Sequence, residues 1–224
     1  HTIDENKQSV VGFKKSDITF KNFQWYINEK ETNGNTVVFD KGFKNFNFNQ
    51  LTLSHNDQFI DFNGVMKGDT FKDFNFTFND VDISKVTPDI RNLNLGGKLN
   101  GELKYKQDNL IYEPSTNLTI DSLMVNDIEL GDLKLDVSGD ESFKKFNVDA
   151  TISHDGEETF LTTGTVEVVN NKTMLNLDAS FENFNIKPVG GFLTGILDNV
   201  RGFASGSAHI VGAYDNPEVD GILY

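Results

Sequence analysis

Few residues in this chain are equipped for covalent chemistry. The histidines, His1, His55, His154 and His209, are scattered. His154 stands in Ser-His-Asp-Gly-Glu-Glu, the composition of a solvated hairpin tip rather than of a metal site. Asp80-Val81-Asp82 puts two carboxylates on one strand face, but a glycosidase pair must flank a cleft, and an outward strand face is the ordinary reading. The chain has no cysteine, which excludes disulfides, thiolate metal sites and a cysteine nucleophile. No nucleophile elbow or phosphate loop is present. Gly97-x3-Gly101 and Gly202-x3-Gly206 have the spacing of membrane-helix pairs but lie in polar, strand-like sequence. Asn75, Asn117 and Asn171 head glycosylation sequons of the kind that arise by chance in so asparagine-rich a chain. The expectation is a protein that is not an enzyme, with no catalytic residue, metal or cofactor.

What remains is the chemistry of apolar surface. There are 20 Phe against 5 Tyr and 1 Trp. Phe has no polar handle and serves purely apolar surroundings, whereas sugar-binding faces use Trp and Tyr. The formal net charge is -14 and the pI about 4.6. That balance repels phosphates, so no nucleic-acid partner is expected, and it gives no direct attraction to anionic headgroups. No stretch approaches the roughly 18 apolar residues of a membrane span. The chain opens at His1 and stops inside the apolar Gly221-Ile222-Leu223-Tyr224, which reads as a piece of a longer protein.

The elements that must carry this surface alternate with period two. Residues 74–78, 93–95, 133–137, 146–152, 165–169 and 175–181 each read as strands with one apolar face. Asn33-Gly34, Asn126-Asp127 and Asp155-Gly156 are hairpin signals. One segment differs: after Pro188, Val189, Phe192, Leu193, Ile196, Leu197 and Val200 fall on one helical face. This predicts a short amphipathic helix near 188–200, weakened by Gly190, Gly191 and Gly195. It would plug the core, or form a lid or a membrane-surface helix, the last disfavoured by the few basic residues that flank it.

The alternation slips at regular intervals. Leu118, Ile120, Leu123, Val125, Ile128, Leu130, Leu133 and Leu135 step by two and three in turn. A hairpin at Asn126-Asp127 sets Val125 against Ile128 and Leu123 against Leu130. The polar gap Asp121-Ser122 then falls beside Gly131-Asp132. A flat sheet would throw half these apolar residues into water; strands that bulge together at one level keep them on one side. Phe43, Phe46, Phe48, Leu51 and Leu53 step in the same way, with Lys44-Asn45 as a corner. The pattern predicts an all-β, mostly antiparallel sheet creased into an open trough with an apolar interior. A longer repeat lies above it. Phe78–Ile83 then Gly97–Gly101 is matched by Phe181–Ile186 then Gly202–Gly206. Units of about 76–120 and 179–224 would make residues 1–224 one repeat-built region.

At these residues the chain resembles the C-terminal periplasmic region of the TamB family, in the wider AsmA-like group. The likeness is carried by the apolar segment from Pro188, by Arg201–Gly212 and by Asp215–Gly221. It covers the last ~50 residues well, the stretch from Phe43 to Ile152 in style, and the first forty barely. The Asn- and Phe-rich composition resembles Bacteroidetes members. The resemblance implies a long curved β-taco-like sheet open along one side, with an apolar groove. It implies a parent anchored in the inner membrane by an N-terminal helix, reaching through the periplasm toward a BamA- or TamA-like outer-membrane protein. It implies carriage of phospholipid acyl chains for lipid transport, or a scaffold role in outer-membrane protein translocation and assembly. An extracellular adhesin or glycan-binding sandwich is a further alternative, disfavoured by the scarcity of Trp and Tyr. Under the lipid reading the groove-lining candidates are Phe46, Phe48, Phe74, Phe76, Leu133, Leu135, Phe146 and Val148. The alternative is that they fill a closed sandwich core.

Overall fold

The computed structural model describes residues 1–89, 93–188 and 201–224. The described chain is almost entirely strand. In order these are β1 (Thr2–Ile3), β2 (Ser9–Gly12), β3 (Ser16–Phe20), β4 (Phe23–Ile27), β5 (Thr36–Phe39), β6 (Asn45–His55), β7 (Gln58–Lys67) and β8 (Phe71–Asp82). A single helical turn, α1 (Ile83–Val86), precedes β9 (Leu95–Asp108), β10 (Ile111–Val125), β11 (Ile128–Gly139) and β12 (Lys145–His154). Then come β13 (Glu157–Val169), β14 (Lys172–Asn185), β15 (Phe203–Ala213) and β16 (Asn216–Leu223). The helix expected near 188–200 falls on residues 189–200, outside the described residues.

All sixteen strands belong to one antiparallel sheet, curved and not closed into a barrel. From β5 to β16 each strand pairs with its sequence neighbour. The period-two pattern thus passes from strand to strand without crossing faces. Asn126-Asp127 and Asp155-Gly156 close hairpins with left-handed φ at both residues, as expected. Asn33-Gly34 does not close one. It lies between β4 and β5, which both pair with β6 rather than with each other.

The three-residue steps are β-bulges. Pairing slips between Phe48 and Leu51, Phe78 and Val81, Ile120 and Leu123, and Phe181 and Phe184. In each case the second polar residue of the gap takes left-handed φ: Gln50 (46°), Asp80 (50°), Ser122 (50°) and Asn183 (48°). That conformation costs a non-glycine residue free energy. Each bulge is offset in the same way. The N–H of Gln50 donates to Asn63 Oδ1 (2.8 Å), that of Asp80 to Asn100 Oδ1 (2.8 Å), that of Ser122 to Asp132 Oδ1 (2.8 Å), and that of Asn183 to Ser205 Oγ (2.9 Å). A short polar side chain on the next strand thus clips the N–H that the bulge removes from the ladder.

Each of these clips adjoins a glycine, and at two the crease needs it. Gly101 (φ +116°) lies against Asn117, and Gly206 (φ +143°) against Ile222; a Cβ on either would run into the neighbouring backbone. The longer repeat in the sequence, Phe-x-x-Val or Phe followed later by a polar residue and Gly, is this bulge with its clip strand.

The crease is oblique. At β10, β11 and β14 the irregularities follow one transverse row, Ile120, Leu133, Ile152, Phe160 and Phe181. At β8 and β6 they step toward the other end of the strands. Leu123 pairs with Gly131 rather than with Leu130, because β11 carries its own irregularity there.

Candidate functional site

The register places all eight candidate lining residues on one face. Phe46, Phe48, Phe74 and Phe76 share it with Phe62 and Met66; Leu133, Leu135, Phe146 and Val148 continue it across β11 and β12. Every one of the eight is half-buried. Leu133 packs against the buried core; the other seven lie outside that cluster. The buried core lies at and beyond the crease, where Ile83, Leu123, Val125, Leu130, Ile152 and Phe184 cluster, with Leu93 and Ile186 from the connections against them. Val81 and Trp25 are also buried there and at the β4 end.

The half-buried arm is lined by an aromatic series. Phe39, Phe46 and Phe48 stack at 5.8 and 5.9 Å; Phe62 stacks on Phe76 at 4.6 Å; Phe74 continues to Tyr105 at 6.2 Å. Phe143 then closes on Tyr105 and Phe146, each at 5.5 Å. Burial pushes the Tyr105 phenol above its ordinary value, with Tyr112 adding to the effect. The phenol O–H donates to Gln107 Oε1 at 3.3 Å. An apolar pocket of about 230 Å³ opens on this face, lined by Leu103, Tyr105, Pro114, Val137, Phe143 and Phe146.

Of the eight candidates only Phe146 lines that pocket. Leu103, Tyr105, Pro114 and Phe143 were missed, although the alternation of 99–105 and 114–120 carries the same signal as the strands that were read. Phe143 was legible only as part of the Phe-Lys-Lys-Phe figure.

The corner reading of Phe43-Lys44-Asn45 is overturned. Lys44 lies in the connection before β6, and Phe43 sits there at φ 52°, largely exposed, stacked on Phe39 at 5.0 Å. The connection is built on Asp40, whose Oδ1 accepts from the N–H groups of Lys44 (2.9 Å) and Asn45 (3.3 Å). Asp140 builds the same loop around Phe143 (φ 57°), accepting from Ser142, Lys144 and Lys145. The backbone bond from Lys44, and then the bonds from Asn45, hold the Asp40 carboxyl below the usual range. The side-chain bond from Ser142 leads the same effect at Asp140. One sequence figure therefore has several backbone solutions. Phe20-Lys21-Asn22-Phe23 is a two-residue turn, Phe71–Phe76 is plain strand, and only Phe181-Glu182-Asn183-Phe184 is a bulge.

A larger depression, about 650 Å³, lies mainly on the opposite face. Glu102, Asn117, Asp136 and Asp149 line it beside Lys104 and Thr163. Asn117 Nδ2 donates across the sheet to Asp136, and Lys104 pairs with Glu102 on its own strand. Val137 and the candidate Val148 also border it. Among the described residues no group of His, Asp and Glu is arranged to hold a metal ion. No helix of the described residues is long and apolar enough to cross a membrane. No family model, curated protein or solved structure matches the chain.

Proposed function

We propose that this chain is a segment of a TamB-like periplasmic bridge whose half-buried apolar face shields phospholipid acyl chains between the inner and outer membranes. One observation carries the reading: a continuous Phe- and Leu-lined face left only partly buried along an open sheet, with an apolar pocket of about 230 Å³ set into it. Soluble proteins rarely leave so long an apolar face without an occupant. The aromatic series supplies rings without hydrogen-bonding groups over most of its length, which suits hydrocarbon and offers nothing to a sugar. Each methylene laid on the face gains up to about 0.8 kcal/mol, and this gain is nearly the same at every position along it. A chain so held is retained but not trapped, and the headgroup stays in water. The partners of this reading are phospholipids and, at the far end of the bridge, a BamA- or TamA-like barrel.

Solvent extraction of the purified protein followed by mass spectrometry tests this directly. Phospholipid is expected with the native chain, and a loss of most of it in Phe76→Glu at unchanged circular dichroism. Lipid-free native protein, or equal lipid in the variant, would overturn the proposal.

A further inference from the structure

From β6 to β12 the apolar face of the half-buried arm carries one charged side chain, Lys72. The register sets Phe46, Met66, Lys72, Gln107 and Tyr112 in one row near the strand ends. Lys72 stands two residues before Phe74, so it leaves β8 on the face of Phe74 and Phe76. Lys104, Lys106, Lys134 and Lys145 alternate onto the opposite face.

Neutral oxygens hold Lys72 in place. Its Nζ donates to Gln107 Oε1 at 2.8 Å and to the backbone carbonyl of Asp69 at 3.4 Å. Gln107 is buried, and its Nε2 donates to the carbonyls of Asn109 (3.0 Å) and Asp69 (3.4 Å). That fixes the amide so that Oε1 meets both Lys72 and the Tyr105 hydroxyl. Tyr105 in turn lines the apolar pocket. Among the described residues Lys72 forms no ion pair. Asp73 and Asp108 alternate onto the opposite face, toward Lys106. An ammonium has three donors, and neutral partners do not cancel its charge. One donor and a whole positive charge are therefore left at the wet end of an apolar face.

From Lys72 the inner residues of β8 run through Phe74, Phe76 and Phe78 to the bulge before Val81. The six residues from Lys72 to Phe78 span about 20 Å of strand. One leaflet of a bilayer's hydrocarbon core is about 15 Å thick. A lipid with its phosphate at Lys72 lays its tail along β8 and ends it near the crease, where the packed core begins.

We propose that Lys72 is the headgroup anchor of this face, taking the phosphate of an anionic amphiphile whose tail lies over Phe74 and Phe76. The proposal rests on the acyl-chain reading above and adds a polarity to it: phosphate at the strand ends, tail toward the crease. A phosphate oxygen accepts the spare donor and neutralises the charge. A neutral headgroup leaves the ammonium uncompensated beside apolar side chains.

Titration calorimetry with dodecyl phosphate, dodecyl maltoside and inorganic phosphate, the amphiphiles kept below micelle formation, tests this. The native chain is expected to bind dodecyl phosphate about tenfold more tightly than dodecyl maltoside, and to show no heat with inorganic phosphate. Lys72→Gln should erase that preference while leaving maltoside binding and the urea midpoint unchanged, and Lys72→Arg should keep it. Equal native affinities for the two amphiphiles, or an unchanged preference in Lys72→Gln, would overturn the anchor and leave the acyl-chain reading standing. Inorganic phosphate bound as tightly as dodecyl phosphate would make Lys72 a plain anion site and overturn the anchor as well. Binding of neither amphiphile would contradict the acyl-chain reading itself, and the anchor with it.

Discussion

The two arms of the creased sheet are built from the same alternation and differ in what their apolar side chains meet. Beyond the crease, Leu123, Val125, Leu130, Ile152 and Phe184 are buried among one another and against Ile83 of α1. On the other arm Phe46, Phe48, Phe76, Leu135 and Phe146 point from the same face and remain only partly buried. The difference lies in the bulges, the one-turn helix and the side chains of Leu93 and Ile186 that pack on the first arm. The first arm works as a core and holds the fold. The second is surface of core composition, which contributes less to stability and is free for an occupant.

Truncation should separate the arms most strongly. Leu130→Ala removes a buried side chain and is expected to cost about 2–4 kcal/mol by urea denaturation. Leu135→Ala, five residues along the same strand but only partly buried, should cost under about 1.5 kcal/mol. Equal losses would mean that both arms are core. Next in size, Gly101→Val forces a Cβ against the Asn117 backbone at φ +116° and is expected to cost about 2–3 kcal/mol, because the crease must shift. A smaller effect is expected at a clip. Asn100→Ala leaves the Asp80 N–H without its acceptor and should lower stability by about 1 kcal/mol, with faster amide exchange confined to Asp80 and its neighbours.

The smallest effect belongs to the rim of the open arm. The folded-state values of Asp40 and Asp140 are depressed. Their contribution is therefore present above the unfolded carboxylate pKa and is lost as pH falls through the lower folded values. Between neutral pH and the ordinary carboxylate range Asp140→Asn should leave the pH dependence of the denaturation midpoint unchanged, and below that range it should flatten it. A variant that instead steepens the acid limb would contradict the hydrogen-bonding assigned to the loop.

Much of this was legible in the sequence because the period of a strand is two and any departure leaves a mark. The three-residue steps at Phe78–Val81, Ile120–Leu123 and Phe181–Phe184 are visible without coordinates, and so is the sheet they crease. Two kinds of fact were not legible. Phe43-Lys44-Asn45-Phe46 and Phe181-Glu182-Asn183-Phe184 have the same spacing, yet one is a loop capped by Asp40 and the other a bulge clipped by Ser205. The distinction depends on a partner far along the chain. The pocket around Tyr105 and Phe143 likewise joins β9 to a connection that starts 35 residues later, and alternation alone does not give the register that brings them together.

Under the proposed function the open arm, and not the packed one, holds acyl chains. Photocrosslinking from benzoylphenylalanine placed at Phe76 or Leu135, and at Leu130 or Phe184 for comparison, tests it in cells labelled with radioactive phosphate. Phospholipid adducts are expected from Phe76 and Leu135 and not from the other two positions. Adducts from neither pair, or equally from both, would contradict the assignment.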